Sequence, residues 1–150
     1  MASDGLYRPI TRVMFAAEWE WGGGKPGLGH WMNVLLYALT GYVLYRLLNR
    51  LTANTFLSFT ASLIFIAHPI HTEVVANIKS RDEILSFLSC LFAMGSYMDY
   101  LVKKSWTGMI GSFALLFLAL GSKESAITFI AVIPLMGWFF NRSKPVSEIS

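Results

Sequence analysis

Apolar residues in this chain fall into long blocks separated by short polar breaks, and the breaks predict where helices end. A helix that crosses a bilayer needs about 20 mostly apolar residues, with about 17 as the lower end. Five blocks are candidates. The first, 31–48, closes at Arg46 and Arg50, and the second, 51–67, stops at His68-Pro69. Proline disfavours helix in the residue before it, which makes that stop a sharp one. The third, 84–102, ends at Lys103-Lys104, and the fourth, 106–120, lies at the short end of the range. The fifth, 125–140, carries Pro134 in its interior, which frees the carbonyl of Ile130 and predicts a kink. Ahead of these, Ile10, Val13, Met14, Ala17 and Trp21 recur at helical spacing, with Arg12 and Glu18 off that stripe. Trp19, Trp21 and Trp31 are typical interface anchors, so 9–20 reads as a helix on the membrane surface followed by a Gly-rich turn over 22–29. The expected fold class is an all-α membrane protein, with about five transmembrane helices preceded by an interfacial amphipathic helix. Its parts are a juxtamembrane segment over 1–30, a polytopic membrane domain over 31–140 and a polar tail over 141–150.

Composition supports a membrane setting. Of the 150 residues, 55% are hydrophobic and only 14% charged, against roughly 25% charged in a soluble domain. Mean hydropathy is +0.52. The first 30 residues lack the apolar core and small-residue cleavage site of a signal peptide. Cys90 is the single cysteine and lies inside an apolar run, so no disulfide or metal framework exists. A pI near 9.1 could suggest nucleic acid. The basic residues, however, are scattered at the ends of apolar blocks rather than gathered in a stripe, so no nucleic-acid partner is expected.

Alternating spans sort the connections onto two faces. Face A takes the turns 49–52 and 103–105 and the tail, while face B takes the first 30 residues, the loop 68–83 and the turn 121–124. Lysine and arginine divide six to six. Face A concentrates its six in short turns and the tail, whereas face B dilutes its six with seven acids, which points to A as the cytoplasmic side. The sequon Asn141-Arg142-Ser143 would then sit on face A, too close to the membrane to be used.

The most informative stretch is HPIHTEVVANIKSRDE, His68 to Glu83, where ionisable residues crowd between two apolar runs. Such a cluster at a membrane edge usually marks a substrate or ion site. Helices running from B to A present their positive dipole ends there. Ser80 and Glu83 have the spacing of a capping box, and Ser122-Lys123-Glu124 opens the fifth span. Free backbone N–H groups at helix starts, with Arg81 and Lys123 beside them, would suit a phosphate. Equally, Arg81 and Lys123 would pair with Asp82, Glu83 and Glu124 and only stabilise helix ends. His68, His71 and Glu73 form an HxxHxE pattern. Imidazole and carboxylate suit zinc or manganese. The spacing is not HExxH, though, and Pro69 prevents one continuous helix from presenting both histidines, so a divalent metal stays only a minor alternative and no other cofactor is called for. Donor binding, proton management and loop ordering stay open for the histidines. Asp99 is expected to snorkel or to pair with Lys103 one turn on.

LYRPITRVMFA, HWMNVLLYALTGYVLYRLL, FIAHPIHTEVVANIKSRDEILSFL and SKESAITFIAVIPLMG, in that order, resemble the membrane core of a polytopic glycosyltransferase of the GT-C fold. The resemblance is to the protein O-mannosyltransferase branch that carries C-terminal tetratricopeptide repeats, and to bacterial family-39-type relatives. It implies transfer of a sugar, mannose in that branch, from a polyprenyl-phosphate-linked donor to a protein or glycan acceptor on the extracytoplasmic face. The implied setting is a multi-pass protein of the bacterial inner membrane, or of the endoplasmic reticulum in a eukaryote, in contact with membrane lipid. Tyr7, Arg8 and Pro9 match the family's YRP element. His68, Pro69, His71 and Glu73 match its HPxHxE loop; Asn77, Arg81 and Glu83 match the segment after it; Lys123 and Glu124 match its KE pair. The resemblance gives donor-phosphate and sugar recognition to Tyr7, Arg8, His68, His71, Asn77, Arg81, Lys123 and Glu124, with Glu73 or Glu83 polarising a hydroxyl. Its mechanism is a single displacement at the anomeric carbon, with an acidic base on the acceptor and basic residues holding the leaving phosphate. In the family a spanning helix and an acidic loop precede the YRP element, whereas MASDG precedes it here and Asp4 lacks that context. The expectation is a fragment that supplies the leaving-group cradle and is inactive alone. Two other classes remain: a transporter or flippase fragment, with ionisable groups near the midplane, and a non-catalytic assembly subunit whose face-B charges only order loops.

Overall fold

The computed structural model describes residues 26–77 and 80–143, together with Val13, Met14, Ala16 and Glu20. Those four are helical. The rest of the expected surface helix, Tyr7, Arg8 and the tail 144–150 lie outside the described residues. The architecture is all-helical, with no strand among the described residues. It runs α1 (Pro26–Thr52), α2 (Thr55–Ala67), a 3-10 turn (Pro69–His71), α3 (Thr72–Ala76), α4 (Arg81–Lys103), α5 (Trp106–Ser122), a second 3-10 turn (Glu124–Thr128) and α6 (Phe129–Ser143).

Local chemistry explains where the boundaries move from those expected. α1 starts at Pro26 and absorbs half of the expected Gly-rich turn. A proline is well placed there, because its missing N–H would have been unpaired in a first turn anyway. α1 also runs on to Thr52, past the point where a second span was expected to begin. Ala53, at φ 51°, breaks it in left-handed geometry. Asn54 then caps α2, its side chain accepting from the Leu57 N–H at 3.0 Å. α2 ends where the proline rule places it, at Ala67. α4 ends on Lys104 in left-handed geometry, φ 53°. The fifth block divides into a 3-10 turn and α6, which continues through Pro134.

The capping box is not formed. The Ser80 side chain makes no cap hydrogen bond. Instead the buried Asp82 carboxylate accepts from the Glu83 N–H at 2.9 Å, and Glu83 turns toward Lys123.

α4 is the central helix and packs against α1, α5 and α6. Its Leu91, Ala93, Met94 and Met98 form the main core with Leu47, Ile133 and Met136. α4 and α5 approach closely at Gly108, where an added Cβ would come within 2.7 Å of the Ser96 carbonyl oxygen. Large apolar side chains lie both in this core and on the outer surface of the bundle, and small polar ones are buried beside the core. Asn33, Thr40, Ser58, Ser62, Ser86, Ser89, Ser112 and Ser122 are buried, while Phe56, Phe59, Ile64, Phe113, Phe117 and Leu135 are each more than half exposed. Small and hydrogen-bonding residues inside, with large apolar ones outside, are how helices pack when lipid surrounds them.

Among the described residues one helix, α4, is by itself long and apolar enough to cross a membrane: 23 residues, about 35 Å at the α-helical rise. α2 together with the Pro69–Ala76 segment reaches the same measure as a pair bent by 51°. α5 and the segment Glu124–Phe139 are apolar but shorter, and α1 is diluted by Asn33, three tyrosines and Arg46.

Candidate functional site: the histidine end of the bundle

The antiparallel helices bring the 68–83 segment and the 122–125 turn to one end of the bundle. Two things build this end: a buried polar clamp and a row of stacked rings. In the clamp, Arg81 is fully buried at the first turn of α4. Its Nε donates to Asn33 Oδ1 at 2.8 Å, and its Nη2 donates to the Gly29 carbonyl at 3.0 Å. Asn33, also fully buried, uses its amide to donate to the carbonyls of Asn77 at 3.2 Å and Val75 at 3.4 Å. One asparagine on α1 therefore ties down the end of α3 and the start of α4 together. A guanidinium survives burial only when its donors are matched in this way.

The ring row begins at His71, whose imidazole lies 4.4 Å from the Phe65 ring. Phe65 stacks on Phe87 at 5.5 Å, and Phe87 meets Phe129 edge-on at 6.1 Å. The row links the 68–83 segment to α6 across α4. Tyr37, whose hydroxyl donates to the Ile66 carbonyl at 3.0 Å, flanks His71 from α1 at 6.0 Å. His68 accepts from the Ile70 N–H through Nδ1 at 3.3 Å, so its neutral form carries the proton on Nε2.

Three adjoining hollows follow the row. The first, about 250 Å³, is walled by Tyr37, Thr40, Phe65, His71, Val74, Glu83, Ile84 and Phe87. The second, about 180 Å³, has Glu83, Ser86, Phe87, Lys123, Ser125 and Phe129 on its walls. A third, about 400 Å³, lies on the other side of His71 and takes in His30, Val34, Tyr37, Ile66, His68 and Val75. Glu83 stands in the wall between the first two and forms an ion pair with Lys123, itself partly exposed. The chemistry on offer is an imidazole and a carboxylate–ammonium pair facing apolar slots. That suits a ligand with a polar, anionic head and an apolar body.

The structure thus brings together four of the expected site residues, His68, His71, Glu83 and Lys123. Arg81 is close in sequence but turned inward, and it lines none of the three hollows. Its bonds to Asn33 and the Gly29 carbonyl hold the start of α4 to α1. Glu73, Asn77 and Glu124 are exposed and line none of the hollows. Tyr7 and Arg8 lie outside the described residues. Among the described residues, no three His, Cys, Asp or Glu side chains converge as metal ligands would.

Asp99 pairs with Arg50 of α1 at 2.6 Å at the opposite end, rather than with Lys103. Sequence reasoning overlooked Asn33 and His30. The signal for Asn33 was an unpaired amide in an otherwise apolar run, one turn after Gly29.

No protein-family model matches the chain, and no solved structure matches it significantly. Among curated proteins it is similar to several named protein O-mannosyl-transferase. It is 35% identical over 137 residues to TMTC1 of Homo sapiens, covering 84% of this chain and 16% of that protein. It is 30% identical over 126 residues to Tmtc1 of Drosophila melanogaster, with 84% of this chain and 15% of that one covered. With TMTC2 of Mus musculus the identity is 30% over 144 residues, or 92% of this chain and 17% of the relative. Likeness sustained over this much of the chain shows a relationship to protein O-mannosyl-transferases. The chain spans 15 to 17% of the length of these relatives.

Proposed function

We propose that this chain is part of a multi-pass membrane glycosyltransferase of the GT-C type, and that its histidine end holds the head of a polyprenyl-phosphate-linked mannose. The observation that carries the reading is the likeness to protein O-mannosyl-transferases along at least 84% of the chain. The gathering of His71, Glu83 and Lys123 around apolar-walled hollows at one end of the helices agrees with it. The large apolar side chains on the outer surface, with small polar ones buried between helices, support a lipid surround for all the main helices, the shorter ones reaching across by packing against α4. Ionisable groups sit at the helix ends, with Glu83 and Lys123 at one and Arg50 and Asp99 at the other. That favours chemistry at the bilayer edge over a transporter, whose site would lie near the midplane.

In this reading the apolar tail of the donor lies against the exposed faces of the helices, and its phosphate reaches the Lys123 ammonium. The oxygen of an acceptor protein hydroxyl attacks the anomeric carbon. As that bond forms, the bond from the anomeric carbon to the phosphate oxygen breaks, and its electron pair leaves with the lipid phosphate. The hydroxyl proton passes to a carboxylate base. Lys123 stabilises the departing charge, and Glu83 keeps the ammonium oriented while accepting from a sugar hydroxyl. His71, held on Phe65, lines the same slot. Asn33 and Arg81 are positioning residues behind it.

The test is photolabelling of the chain in lipid nanodiscs by a polyprenyl-phosphate mannose bearing a diazirine on the lipid. Labelling of peptides around 65–87 and 118–129, displaced by unlabelled donor and lost in Lys123→Gln, is the expected result. Labelling spread over all helices and unchanged in Lys123→Gln would refute the assignment.

A further inference from the structure

At the opposite end of the bundle α1 and α4 leave a hollow of about 330 Å³ between them. Its walls combine apolar side chains, Leu47, Leu91 and Phe92 among them, with two guanidinium groups, Arg46 and Arg50. Gly95 opens onto it, and a Cβ built there would meet nothing within 4 Å. Among the described residues the charges at this end do not balance. Arg50 is matched by Asp99 at 2.6 Å. Among the described residues Arg46 meets the Tyr42 hydroxyl, at 3.1 Å, and the face of the same ring, 5.9 Å from its guanidinium carbon. Among the described residues Arg46, Lys103 and Lys104 form no ion pair, so four cations stand against Asp99. Phe92 is 40% exposed, so the apolar wall continues to the outer surface of the bundle.

From this geometry we infer that the hollow binds an anionic membrane phospholipid, with its phosphate on Arg46 and one acyl chain along Leu91, Phe92 and the gap at Gly95. The inference rests on the membrane setting proposed above but not on the donor site. That site lies at the other end of α4, about 24 Å away by the helical rise from Glu83 to Asp99. A basic group beside an apolar slot between helices is the arrangement that retains anionic headgroups. The spare positive charge selects the headgroup, and the open wall admits the chain.

The experiment is native mass spectrometry of the chain in detergent, titrated in parallel with dioleoyl phosphatidylglycerol and dioleoyl phosphatidylcholine. A saturable adduct preferring phosphatidylglycerol is expected. Arg46→Gln should weaken it about fivefold, the worth of one basic residue beside an anionic headgroup. Lys104→Gln removes the same charge outside the hollow and should weaken it by less than about twofold. Gly95→Leu fills the gap while raising helix propensity, so the fold is kept and the adduct is lost. Equal weakening by Arg46→Gln and Lys104→Gln would mean diffuse attraction and overturn the site. So would an adduct that survives Gly95→Leu, or one displaced by millimolar inorganic phosphate, which would mark a free-anion site. Donor photolabelling should be unchanged in Arg46→Gln. Its failure alongside intact phosphatidylglycerol binding would sink the donor reading alone.

Discussion

Replacing Asn33 tests whether the histidine end depends on its buried clamp. Asn33→Leu keeps the side-chain volume and takes away the acceptor of a buried Arg81 Nε–H, together with two bonds to the carbonyls of Val75 and Asn77. A hydrogen bond to a charged group contributes about 1.5–3 kcal/mol. The two longer amide bonds add about 0.5 kcal/mol each. The expected loss is therefore about 2.5–4 kcal/mol, or a fall in Tm of about 5–15 °C for a chain of this size. Cys90 provides the readout, being the single cysteine and fully buried, so a fluorogenic maleimide reports its exposure on heating in detergent. Asn33→Asp keeps the acceptor for Arg81 and should recover at least half of the loss. Thr40→Val is the matched control, because that buried hydroxyl bonds only to the Leu36 carbonyl of its own helix at 2.8 Å. An Asn33→Leu protein melting within about 2 °C of the parent would falsify the clamp.

Other perturbations separate packing from chemistry. Gly108→Ala drives a methyl into the backbone of α4 and should cost about 1–3 kcal/mol. Gly95→Ala, facing open space, should gain up to about 1 kcal/mol; the same melting assay reads both, and equal signs would refute the packing. Glu83→Gln breaks a half-exposed ion pair and should cost less than about 1 kcal/mol in stability while abolishing donor photolabelling. Loss of both together would make Glu83 a structural residue. Arg50→Gln should change Tm by no more than about 3 °C, with the difference shrinking in high salt, since the Arg50–Asp99 pair is partly solvent-exposed.

The sequence alone determined that this chain is helical, and nearly where each helix stops. Apolar blocks, His68-Pro69 and paired basic residues act within a turn or two of where they stand, so boundaries at Ala67, Lys103 and Trp106 follow from local chemistry. The 68–83 segment also stood out as chemistry-bearing, and His68, His71, Glu83 and Lys123 do meet at one end. What only the tertiary structure decided was partnership. Arg81 is 48 residues from Asn33, and Arg50 is 49 from Asp99. No periodicity reveals which of several cations turns inward. Arg81 does so because α1 places Asn33 and the Gly29 carbonyl where they match a guanidinium's donors, whereas Lys123, with a single carboxylate at hand, stays at the edge of the hollows. The glycines divide for the same reason. Gly108 and Gly95 look alike in sequence, but the α4 backbone at Ser96 and Tyr100 fills the space beside Gly108, whereas nothing lies within 4 Å of a Cβ at Gly95.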